Sequence, residues 1–156
     1  GVQTCALPIY RAEYFMEQLR LLEPDLVIIS LGTNEAIGSK FYPESFIEER
    51  DQFLDALNEV VPYSNVLLTT NSDNYRKKRY PNKNNNQVRE LLLKAADERG
   101  FAYWDLYTIM GGYTSMNKWK SSGLAQKDLI HFTEKGYELQ AHLLFEALMN
   151  AYDEQH

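Results

Sequence analysis

The sequence predicts an α/β fold, a parallel sheet covered on both faces by helices. Three observations carry this. Short runs of aliphatic and β-branched residues recur along the chain: DLVIISL at 25–31, NVLLTT at 65–70 and FAYWDL at 101–106. Segments with apolar residues at helical spacing alternate with these runs. The runs are too continuous for strands with one wet face, so they suit strands buried on both sides. Strands alternating with helices imply right-handed crossovers and parallel pairing.

Each element has a local cause. Residues 10–22 place Tyr14, Phe15, Leu19 and Leu22 at helical spacing, and Pro24 stops the helix. The first strand, 25–31, follows, and then the polar loop GTNEAIGSK at 32–40. The stretch 43–61 repeats Phe46, Ile47, Phe53, Leu54, Leu57 and Val60, a helix closed by Pro62. The second strand, 65–70, leads into a long polar loop, NSDNYRKKRYPNKNN. A helix is expected over 87–99, ended by Gly100, before the third strand at 101–106. TSMNKWKSSG holds a short helix or a loop, and Thr133 caps a last helix that runs to about Tyr152. The three strands end in loops that can meet on one edge of the sheet, where sites form in such folds.

Composition narrows the function. The 156 residues suit one domain, and the 44% apolar and 24% charged content is that of an ordinary globular chain. A net charge of −6 and an acidic pI near 5.1 argue against broad nucleic-acid binding. No apolar run approaches the roughly 20 residues of a membrane span, and no signal-peptide pattern is visible. The single cysteine, Cys5, excludes an internal disulfide framework and a cysteine-built zinc site, and the three histidines form no ligand cluster. Phosphate-loop and dinucleotide signatures are absent.

Four stretches bear on chemistry. In KDLIHFTEKGY, Asp128 and His131 stand three residues apart just before a helix. They read as a surface Asp beside a turn His, or as an orienting carboxylate and a general base. In GTNE, Gly32 permits a tight turn after a buried strand. Asn34 there offers a side-chain amide to an oxyanion, or makes a plain Asx turn. RKKR at 76–79 is a solvated run, or a contact for an anionic or sugar substrate helped by Tyr75 and Tyr80. MGGYTSMNKW is a glycine turn with a short helix, or a loop that brings Trp119 to a sugar.

Together PDLVIISLGTNEA and KDLIHFTEKGYELQ resemble the third and fifth blocks of the SGNH, or GDSL-type, hydrolases, in the same order and at similar separation. The similarity runs from about Tyr10 to Tyr152. GTNEA, YWDLYTIMGG, SMNKW and GLAQKDLIHFT look nearest to bacterial members similar to peptidoglycan O-acetylesterases. The resemblance implies a three-layer α/β/α sandwich of flavodoxin-like kind and ester hydrolysis without metal or cofactor. It implies His131 as base, Asp128 as its partner and Asn34 in the oxyanion hole, with Gly32, Thr33 and Asn34 at the substrate. An acetylated glycan or another small ester is the implied substrate, and a periplasmic or secreted parent the implied setting. Glu35 stands where many members of the family have Asp.

One departure is larger. The family's nucleophilic serine belongs to a Gly-Asp-Ser block after a first strand, and a glycine of a second block helps hold the oxyanion. No serine here has that context: Ser30 lies within a strand, and Ser115 alone sits in a plausible loop near the site. The opening residues 1–9, GVQTCALPI, read as the conceptual translation of a common DNA-sequencing adapter. The expectation is therefore a partial domain, 10–156, lacking the family's first two strands. The alternatives are a non-catalytic glycan-binding module, a hydrolase that uses Ser115, and a lipase- or thioesterase-type member of the family.

Overall fold

The structure, a computed structural model, describes residues 14–61 and 65–154; the expectations for 1–9, for the start of the first helix and for Pro62 fall outside them. The elements in chain order are α1 (Phe15–Leu22), β1 (Val27–Ser30), α2 (Thr33–Ala36), α3 (Pro43–Asn58), β2 (Val66–Thr69), β3 (Tyr75–Arg76) and β4 (Tyr80–Pro81). They continue with α4 (Asn84–Arg99), β5 (Ala102–Trp104), α5 (Leu106–Met110), α6 (Ser115–Ser121) and α7 (Glu134–Asp153).

β1, β2 and β5 are the three predicted strands. They form a parallel sheet in the order β1-β2-β5, with Ile28 opposite Leu67 and Leu68 opposite Tyr103. β2 is central and buried throughout, and its side chains divide between two cores. Val66 and Leu68 face a core built from Phe46, Phe53, Leu54 and Leu57 of α3 and Val88, Leu92, Ala95 and Ala96 of α4. Leu67 faces the other way, onto Trp104, Met110, Met116 and Trp119, with the leucines of α7 packed outside them. This two-residue alternation is what places helices on both faces of one sheet.

β1 and β5 are the two edge strands, each paired among the described residues with β2 alone, and the burial on both faces expected for all three strands holds only for β2. On the β1 edge, Ile28 within the strand and Leu26 just before it are 47% and 44% exposed, an unusual state for aliphatic side chains on a sheet edge.

The structure departs from expectation where polar sequence folds inward. Residues 32–40 are not all loop, since Thr33–Ala36 form a helical turn. The 71–85 stretch is not simply a long polar loop. It carries the β3–β4 hairpin, and Asn71, Ser72, Asp73, Asn74, Asn82 and Asn85 are buried. α4 starts at Asn84, earlier than expected, with Lys83 at the N-cap and the Asn82 side-chain oxygen accepting from the Asn84 N–H (3.2 Å) in a local turn.

The buried amides hold one another. Asn82 donates to the Ala36 carbonyl and to Asn74 Oδ1, both at 2.9 Å, and Asn74 donates to Asn85 Oδ1 at 3.1 Å. Asn84 donates to the carbonyls of Ala36 (2.9 Å) and Gly38 (3.0 Å). The network takes up carbonyls at the end of α2, which would otherwise be orphaned in a dry place. It therefore fixes the segment that carries Asn34.

Candidate active site

Asp128 and His131 occupy a tight turn between α6 and α7. His131 Nδ1 lies 2.7 Å from Asp128 Oδ2. Asp128 Oδ1 accepts from the backbone N–H of Ile130 (2.9 Å) and of His131 (3.0 Å). One carboxylate thus shapes the turn and orients the ring. Burial pushes the Asp128 carboxyl up, but the hydrogen bonds from the His131 ring and from the two backbone N–H groups outweigh it and hold the pKa at about 2.

Leu129 sits between them with φ 59°, a left-handed conformation that a leucine adopts only under constraint. Its side chain is buried, and its carbonyl accepts from the Tyr75 N–H at 2.9 Å. The turn closes where the Gln126 N–H donates to the His131 carbonyl (2.8 Å). Phe132 then packs edge-on between Trp119 (5.3 Å) and Tyr137 (5.5 Å). Thr133 caps α7, its hydroxyl accepting from the Gly136 N–H and donating to the Gly123 carbonyl.

Gly32 has φ 105°, and a Cβ there would stand 2.6 Å from Val88 Cγ1. Both the conformation and the space require glycine. The Glu35 carboxylate accepts from the Gly32 N–H at 2.9 Å, which tightens the turn and gives Glu35 a structural role. The backbone then enters α2, and Thr33 and Asn34 face the mouth of the sheet.

Asn34 and His131 line one cavity of about 250 Å³, with Ser30, Thr33, Thr70, Asn71, Ser72 and Tyr137 also in its wall. The cavity lies at the carboxyl ends of β1 and β2. The structure therefore brings together Asn34, Thr33 and His131, with Asp128 behind His131 on its Nδ1 side; Gly32 lies under the turn. The loop at Asn71 is expected at this edge from its place after a buried strand, and Thr70, Asn71 and Ser72 are the residues by which it enters the cavity wall.

Two of the alternatives the sequence left open are not met. Trp119 is no sugar platform: it is 8% exposed, inside the second core, and its indole N–H donates to the Met110 carbonyl at 3.1 Å. Ser115 is 1% exposed, and its Oγ has no hydrogen-bond partner among the described residues, so it is not engaged with His131. The hydrogen bond of the His131 ring goes to Asp128, not to Ser30 or Ser72, which share its cavity.

Behind the cavity lies Asp73, fully buried. Its carboxylate accepts from the Met116 N–H at 2.9 Å and from the Asn85 amide at 3.5 Å. Burial pushes its carboxyl up, and these hydrogen bonds offset that only in part. A folded pKa above the unfolded one means that the stabilisation is fully present below the unfolded value, near ~4, and is lost as pH rises through the folded value. Asp73→Asn keeps an acceptor for Met116 and removes the buried charge. It should melt higher than the parent at about pH 7, with the gain shrinking toward about pH 4. Calorimetric melts at both pH values check this; a gain that grows on acidification would refute it.

Among the described residues no helix is long and apolar enough to cross a membrane, and no three His, Cys, Asp or Glu side chains gather to hold a metal ion.

Comparison with known proteins follows the same lines. The model of the GDSL-like lipase/acylhydrolase family matches residues 3–139. Among solved structures the chain is similar to a peptidoglycan O-acetylesterase, with TM-score 0.82 and 24% identity over 89% of this chain and 41% of that one. It is similar to a lipase/acylhydrolase from Enterococcus faecalis, with TM-score 0.68 and 19% identity over 88% of this chain and 68% of that one. It is also similar to the acetyl xylan esterase AlAXEase, with TM-score 0.70 and 16% identity over 93% and 76% of the two chains. At these identities the likeness is one of fold, and the chain spans 41% of the length of the first of these structures. No curated protein matches it. With most of its length inside the family's model, the chain belongs to the GDSL-like lipase/acylhydrolase family.

Proposed function

We propose that the chain is the base and oxyanion portion of a serine esterase that removes O-acetyl groups from carbohydrate, either peptidoglycan or another polysaccharide. The observation that carries this reading is the 2.7 Å hydrogen bond from His131 to Asp128 beside a cavity that Asn34 also lines. An imidazole oriented through Nδ1 leaves Nε2 free to move protons. The likeness to a peptidoglycan O-acetylesterase and to an acetyl xylan esterase supports the substrate class.

In this mechanism a serine Oγ attacks the acetyl carbonyl while His131 Nε2 takes its proton. The negative charge on the carbonyl oxygen is held by the Asn34 amide. The tetrahedral intermediate collapses, the C–O bond to the sugar breaks, and His131 gives its proton to the departing alkoxide. Water then attacks the acetyl-enzyme, His131 takes a proton from it, and acetate leaves as the serine is reprotonated.

The serine is supplied by a segment ahead of Tyr10, on a strand added to the open side of β1. The solvent-facing Leu26 and Ile28 support that placement, since an added strand and its helix would cover them. In this reading the parent acts in the periplasm or outside the cell, where acetylated polysaccharide is met.

The test joins the Gly-Asp-Ser and following glycine blocks of a homologue ahead of Tyr10, without residues 1–9, and measures acetate release from an acetylated glycan. The extended chain should hydrolyse it and the present chain should not. Hydrolysis by the present chain that is abolished by Ser30→Ala, Ser72→Ala or Ser115→Ala would overturn the proposal. Glycan binding without turnover by a folded extended chain would point to a binding module instead.

A further inference from the structure

The β3–β4 hairpin carries Arg76, Lys77, Lys78 and Arg79 in a chain whose net charge is −6. Lys77 and Lys78 hold φ of 51° and 58° at its turn, and the Arg79 N–H closes the turn onto the Arg76 carbonyl at 3.1 Å. Turns of this hand are normally given to Asn and Gly, so the lysines are kept there at a conformational cost. Among the described residues, no carboxylate pairs with any of the four cations.

Between this hairpin and the loop after α2 lies a cleft of about 410 Å³ lined by Ile37, Ser39, Arg76, Lys77 and Tyr80. Arg76 reaches the Gly38 carbonyl only through Nη1, at 3.4 Å, and its Nε is buried with no hydrogen-bond partner. The Arg76 guanidinium is thus held by one long contact, and an anion in the cleft can meet its terminal nitrogens. Ile37 is three residues beyond Asn34, so the cleft begins within ~10 Å of chain length from the oxyanion amide.

We propose that this cleft is an anion subsite that holds a carboxylate of an acidic glycan beside the ester-cleaving cavity. The subsite rests on the reading of the first cavity as a glycan esterase site and specifies its substrate as carboxylate-bearing. Arg76 supplies a planar fork that matches a carboxylate, Lys77 adds charge, and Ile37 with the Tyr80 ring offers an apolar wall for a sugar face. A long polyanion such as nucleic acid is disfavoured, because the rest of this acidic chain would repel it.

The test is calorimetric titration of a short oligouronate against its carboxyl-reduced, neutral counterpart. It is run on this chain and on the extended chain with the added serine changed to Ala, so neither arm depends on turnover. The uronate should bind at least roughly tenfold more tightly, and salt should erode that preference. Arg76→Gln with Lys77→Gln should abolish the preference and leave the neutral sugar's affinity unchanged. Arg76→Lys should retain part of it. Lys77→Gln alone, at an exposed turn, should weaken it without altering the melting temperature. His131→Ala should leave it intact, which separates failure of the subsite from failure of the esterase reading. Equal affinity for the two sugars, a preference that survives the double substitution, or equally tight binding of inorganic phosphate or a short DNA strand would overturn the proposal.

Discussion

His131→Ala, in the chain extended with its serine, should lower kcat for acetyl-ester cleavage by roughly 10⁴- to 10⁶-fold, the scale on which a triad base acts. In the proposed mechanism the ring moves a proton in each half-reaction, and no other imidazole lines the cavity with it. Asp128→Asn should cost about 10⁴-fold. The amide can present its NH₂ to Nδ1 and so favour the wrong tautomer, while its oxygen can still accept from the Ile130 and His131 N–H groups. The turn should therefore survive the substitution and the chemistry should not. His131→Ala with Asp128→Asn should be no worse than His131→Ala alone, because the pair acts as a unit. Because the Asp128 carboxyl is held at about 2, its share of stability is fully present above the usual carboxylate range and is lost only as pH falls toward that value. The acid limb of the rate profile therefore belongs to another group. Steady-state rates on an acetylated substrate, paired with thermal melts, decide these points. A His131→Ala enzyme within tenfold of its parent would remove the histidine from the mechanism.

The sheet and the Asp128–His131 pair were legible because their signals are local. Val27–Ser30 and Val66–Thr69 are aliphatic and β-branched runs that favour strands, although only Val66–Thr69 is buried throughout, and Asp-x-x-His before a capped helix is short enough for one turn to satisfy. Asn34 was legible by position, since a polar loop after such a strand opens on the sheet's carboxyl edge. What the sequence hid was the inward fold of NSDNYRKKRYPNKNN. Its composition is that of a solvated loop, yet Asn74, Asn82 and Asn85 are fully buried. Their burial depends on partners far along the chain, such as the Ala36 carbonyl accepting from Asn82, and no window of local periodicity contains those partners. For Trp119 the sequence left two readings, a glycine turn with a short helix or a loop at a sugar, and the short helix is the one found. An aromatic near a glycine turn suits a sugar platform, and only the packing of Phe132 against it, from a different element, assigns it to the core.

Gly136→Ala should be the most damaging single methyl addition in the described residues. The glycine sits in the first turn of α7 with no positive φ, so its need is for space rather than for conformation. A Cβ there would stand 1.9 Å from the Leu124 carbonyl oxygen, 2.9 Å from its carbon and 3.0 Å from Phe132 Cβ. The first two obstacles are backbone, which cannot rotate aside as a side-chain end can. That same Leu124 carbonyl accepts from the Thr133 N–H at 3.0 Å, so moving it loosens the residue that caps α7. The expected cost is roughly 3–5 kcal/mol, at the top of the range for overpacking, and a fall in Tm on the order of 10 °C. Gly123→Ala is the control. Gly123 has φ 75° but nothing within 4 Å of an added Cβ, so it carries conformational strain alone, about 1–2 kcal/mol. Because Thr133 and Phe132 follow directly on His131, the Gly136 variant of the extended chain should lose activity even below its lowered Tm, whereas the Gly123 variant should keep it. Melts of both variants within 2–3 °C of each other, a gap worth about 1 kcal/mol, would show that Leu124 yields freely and that the contact does not hold the histidine turn.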